Sequence, residues 1–80
     1  MERIKYYVIC IQGKHKASKR YFAGNFPDDM SDAWRYSTMI GAKKDAENLD
    51  YKILIKTGYI AIEIKEVIET VDTVSSISLV

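Results

Sequence analysis

The sequence predicts an α+β domain of order ββαββ, with a mostly antiparallel sheet covered on one face by a single helix. Three observations carry this expectation. Runs rich in β-branched and aromatic residues lie toward both ends of the chain, polar connections bearing glycine join them, and one central stretch has helical apolar spacing. The 80 residues make a single domain, 1–80. A chain of this size buries only about 60% of the surface its unfolded form exposes, so a deep cleft walled by several layers is not expected.

Ile4 to Gln12 reads Ile-Lys-Tyr-Tyr-Val-Ile-Cys-Ile-Gln and is the first strand. Alternation sets Ile4, Tyr6, Val8 and Cys10 on one face and Lys5, Tyr7, Ile9 and Ile11 on the other, so both faces are largely apolar. Gly13 to Lys19 is a polar hairpin connection, and Arg20 to Ala23 is the second strand. Gly24 to Asp32 is a loop by its Gly, Asn, Pro and Asp content.

Ala33 to Leu49 organises the fold. After an extended lead-in, Met39, Ala42, Ala46 and Leu49 fall three and four apart on one helical face, opposite Lys43, Lys44, Asp45 and Glu47. Ser37 or Thr38 is suited to accept from the first-turn amides, which starts the helix just after Tyr36. An earlier start at Ser31 would carry the helix through Gly41, at about 1 kcal/mol relative to Ala. Tyr51 to Lys56 then alternates as a half-buried strand, Thr57-Gly58 turns, and Tyr59 to Lys65 alternates again, a second hairpin. Residues 66–80 stay open between a helix, a further edge strand and a loose tail, because Ile64, Val67, Ile68 and Val71 have helical spacing but β-branched side chains.

Twelve Lys and Arg stand against eleven Asp and Glu, a net charge of +1. That balance does not suit a surface given over wholly to nucleic acid, but it leaves room for a local basic patch. The one cysteine, Cys10, excludes an intramolecular disulfide and fits a cytoplasmic setting. No apolar run approaches the roughly 18 residues of a membrane span, and Met-Glu-Arg-Ile-Lys is not a signal peptide, so no membrane partner is expected.

The strongest local signal for binding is the basic run Lys14, His15, Lys16, Lys19 and Arg20, beside Tyr21 and Phe22. Cations at a hairpin tip suit phosphates and a neighbouring ring suits a base, although Lys-rich turns are also common as plain solvated surface. His15 is the only histidine, so paired-histidine metal sites and relays are excluded. Cys10 lies mid-strand among apolar neighbours, the setting of an inert thiol. The acids Asp28, Asp29 and Asp32, and later Glu63, Glu66, Glu69 and Asp72, suit either a divalent cation, a mimic of phosphates, or turn formation near a helix start. No phosphate-cradling glycine loop, serine nucleophile motif or Cys/His metal spacing occurs, so no catalytic residue, metal or cofactor is expected.

The apolar surplus is the other signal. One helix covers one sheet face, which leaves Tyr7, Ile9 and Ile11, with Tyr21 on the neighbouring strand, as the expected protein-binding surface. A second copy of the chain, a host protein or the C-terminal segment folding back are the three covers it would take.

The spacing Ala33-x-x-Tyr36-x-Thr38-x-x-x-Ala42-x-x-x-Ala46-x-x-Leu49, after a Tyr/Phe-rich hairpin, resembles small accessory proteins encoded by bacteriophages and prophages. The resemblance covers about half the chain and its positions are structural; the segment from Glu66 departs from the pattern. It implies the host bacterial cytoplasm, and for many such proteins a role in binding and blocking a host protein, CRISPR and restriction components included. The expected function is therefore a non-enzymatic phage-type inhibitor acting on a host protein or as a homodimer, with a nucleic-acid-binding module built on the basic hairpin 14–20 as the alternative.

Overall fold

The first and third strands of the chain meet at the centre of the sheet. In the computed structural model, which describes residues 4–15, 18–68 and 70–79, the strands are β1 (Tyr6–Gly13), β2 (Lys19–Tyr21), β3 (Tyr59–Val67) and β4 (Val71–Ser78). They form one antiparallel sheet in the order β2-β1-β3-β4. The most apolar strands therefore take the inner places, with Ile9 opposite Ile64 and Ile11 opposite Ile62. Two helices, α1 (Met39–Glu47) and α2 (Tyr51–Thr57), separate the strand pairs, and a single 3-10 turn covers Met30–Asp32. The protein is thus a small α+β domain with a four-stranded antiparallel sheet and two helices, of order ββααββ.

The expected single helix becomes two because Tyr51 to Lys56 is helical. Asp50 caps its start, accepting from the Ile53 amide at 3.3 Å, and Gly58 ends it in the left-handed region at φ 110°. The apolar alternation of this segment is compatible with a strand, but a capped helix buries Tyr51 in part and Leu54 fully while leaving Ile53 and Ile55 outside. Tyr59–Val67 pairs instead with β1 and β4, and β4 is the edge strand that the open C-terminal segment contributes. Its register shifts between Ile64 and Lys65 on β3.

α1 starts as its sequence indicates. Thr38 Oγ1 accepts from the Gly41 amide at 3.1 Å, and Ala42 and Ala46 are buried against the sheet with Leu49 partly so. Met39, expected on the inner stripe, lies exposed at the rim. Small alanine side chains let the helix approach the strands closely.

The face assignment for β1 is reversed. Tyr7, Ile9 and Ile11 are buried beneath α1 and α2 with Ile62, Ile64, Leu54 and Leu79, so they form the main core and offer no accessible binding surface. Tyr21 is also buried, on the opposite face, with Val8, Cys10, Ala33 and Val67. Ala33 and Met30, from the segment after β2, pack on that second face. The chain leaves the line of β2 at Phe22, whose amide donates to Ile9 O, and rejoins it at Tyr36, which exchanges both backbone bonds with Tyr7 at 2.8 Å. Further along this face the sheet turns polar: Lys65 Nζ stands 3.4 Å from Glu63 and donates to Thr73 Oγ1 at 2.8 Å.

Candidate functional site

The turn after β1 is tied together by one side chain. Gln12 Nε2 donates to His15 O at 2.8 Å and to Gly13 O at 3.2 Å, and the Ser18 amide donates to His15 O at 2.9 Å. These bonds replace water on backbone carbonyls that a tight turn would otherwise expose.

Register supplies the opposite wall. Gly13 pairs with Tyr59, so the junction between α2 and β3 abuts the hairpin tip. Between them lies an open cleft of about 620 Å³, bounded by Lys14, His15, Lys19 and Arg20 on the hairpin side, by Thr57, Gly58 and Tyr59 on the other, and by Asp28 of the long loop. Arg20 and Asp28 form an ion pair between largely exposed side chains, which contributes little to stability but cancels one positive charge. Lys14 and Lys19 bring the remaining formal charge to the cleft, whose other wall includes Tyr59, half-buried against the main core.

Four of the five residues of the expected basic run thus line one cleft. Lys16 lies outside the described residues, as does Glu69. Thr57, Gly58 and Tyr59 lie outside the expected site, since only the pairing of β1 with β3 places them there, and Asp28 reaches it through its ion pair with Arg20. The acidic clusters do not assemble: among the described residues no group of three or more His, Cys, Asp or Glu could hold a metal ion. Asp28 is held by Arg20. Asp29 caps the 3-10 turn, accepting from the Ser31 amide at 2.9 Å, and that bond lowers its pKa. Glu66 accepts from the Tyr7 hydroxyl at 3.1 Å.

The other reactive groups are occupied structurally. Cys10 is fully buried, and burial pushes its thiol pKa up; Lys65 and Lys19 oppose the rise and Glu63 adds to it. Burial likewise raises the Tyr36 phenol, whose hydroxyl donates to Asp45 Oδ2 at 2.7 Å.

The cleft is suited by charge to hold an anionic group. No helix among the described residues is long and apolar enough to cross a membrane. Comparison of the chain with protein-family models, with curated proteins and with solved structures found no match.

Proposed function

We propose that this protein is a non-enzymatic binding module of the bacterial cytoplasm that takes an anionic, phosphate-bearing partner at the basic cleft. The observation that carries this reading is the convergence of Lys14, His15, Lys19 and Arg20 on one cleft, against the single carboxylate of Asp28. Binding to a fluorescein-labelled oligonucleotide tests it. Affinity should fall with salt, and Lys14→Ala and Lys19→Ala should each reduce the slope of log K against log salt by about 0.7 to 0.9. Absence of binding to any polyanion at low salt refutes the reading.

A second reading is favoured by a separate observation. β4 forms a sheet edge of eight residues, Val-Asp-Thr-Val-Ser-Ser-Ile-Ser, with Val71 and Val74 exposed and without the lysine or proline that commonly blunts such edges. It suits strand addition by a second copy or by a host protein, as a phage-type inhibitor would use it. Light scattering after size exclusion, with Val74→Lys as the control, tests self-association; a monomer at all concentrations removes the homodimer.

A further inference from the structure

The loop between β2 and α1 carries an aromatic cluster in which Phe22 packs against the main core and Trp34 and Phe26 lie outside it. The rings of Phe22 and Trp34 stand edge to face, 5.1 Å apart at 78°, and Phe26 lies 5.9 Å from Phe22. The indole is pinned on one side by Gly24, whose φ of 81° suits glycine and where a Cβ would stand 3.0 Å from Trp34 Cζ2. The Trp34 amide donates to Phe22 O at 3.0 Å. Trp34 is nonetheless 50% exposed and Phe26 41% exposed. Two large rings are therefore held in place with surface left open to a ligand.

The cluster is joined to the basic cleft through β2 and its loop. Arg20 pairs with Asp28 and the Tyr21 amide donates to Pro27 O at 2.9 Å, so the loop runs beside β2. Phe22 thus stands two residues after Arg20 and Phe26 two residues before Asp28.

We infer that the anionic partner is single-stranded nucleic acid, with phosphates over Lys14 and Lys19 and a neighbouring base against Trp34 and Phe26. This rests on the anion-binding reading of the cleft. A groove of cations bordered by exposed rings is the arrangement that holds single strands without regard to sequence, since every base presents a π-face. Asp28, Asp29 and Asp32 lie on the ring-bearing loop, so phosphates are directed to the hairpin side and bases to the rings. A duplex keeps its bases stacked inside and a phosphate polymer has none, so neither would gain from the rings.

Trp34 is the only tryptophan, so its emission reports the contact directly. Titration of the intact chain with oligothymidylate or oligouridylate should quench it saturably at low salt. A blunt duplex and inorganic polyphosphate should compete weakly and leave the emission unchanged. Trp34→Leu and Phe26→Leu, followed by anisotropy of the labelled oligonucleotide, should each weaken binding about 5- to 150-fold while leaving the salt slope intact. Should Trp34→Leu fail to fold by circular dichroism, the quench in the unaltered protein decides. Equal binding of duplex or polyphosphate, or binding without a change in emission, overturns the single-strand assignment and leaves the anion-binding reading standing. No binding of any of these probes overturns both.

Discussion

Leu54 is the residue at which the strand and helix readings of Tyr51 to Lys56 diverge most. As a strand, the segment would put Ile53 and Ile55 inward and Leu54 outward; as α2 it leaves Leu54 4% exposed and Ile53 and Ile55 60% and 46% exposed. Leu54 packs in the main core with Ile62, Ile64 and Ala46, so its truncation leaves a cavity that the alanine-lined α1 can fill only partly. Leu54→Ala should therefore cost about 3 kcal/mol, within the range of buried leucine truncations. In a domain whose total stability is of order 4 to 12 kcal/mol, that lowers the melting temperature by roughly 12 to 24 °C. Ile53→Ala removes a mostly hydrated side chain and should cost under about 0.5 kcal/mol. Denaturant and thermal melts followed by far-ultraviolet circular dichroism give both numbers. A loss of about 3 kcal/mol for Ile53→Ala or Ile55→Ala, with Leu54→Ala near zero, would refute the helix and the core built on it.

Other expectations follow from named contacts. Thr38→Ala and Asp50→Ala each remove a cap from a first-turn amide and should cost about 1 kcal/mol, with Thr38→Ser retaining most of the stability; equal losses for Ser and Ala would exclude the hydroxyl as the cause. Because the Tyr36 pKa is raised in the folded state, its contribution is complete below the unfolded value of about 10 and is lost as pH rises beyond it. Tyr36→Phe should cost about 1.5 kcal/mol near neutral pH and make stability fall less steeply above about pH 10; an unchanged alkaline slope in denaturant melts counts against the Asp45 bond. Cys10 should react with an aromatic disulfide reagent only as fast as the protein opens, and immediate reaction in the native state would show that the second sheet face is not closed.

Local pattern was enough for much of this fold. β-branched and aromatic density marks β1 and β3, the spacing of Ala42 and Ala46 gives the buried stripe of α1, and Thr38 announces its start, because propensity, period and capping act within a few residues. The basic hairpin was legible for the same reason, being a run of neighbours in the chain. Tyr51 to Lys56 is ambiguous in sequence because a two-turn helix and a short alternating strand share a hydrophobic pattern; Asp50 and Gly58, the capping residues, are the signal that separates them.

Tertiary structure decided which face of β1 is inside. Tyr6 to Ile11 is apolar on both sides, so nothing local tells Ile9 from Val8; the choice follows from where α1 and α2 pack and from Ala33 and Met30 packing on the other side. The apolar surplus that suggested a protein partner is consumed by the protein's own loop. The cleft has the same origin. Its cations were visible in the chain, but Tyr59 and Gly58 reach them only because β1 pairs with β3 across more than half the sequence, a register set by burial of the isoleucines rather than by any property of the turn.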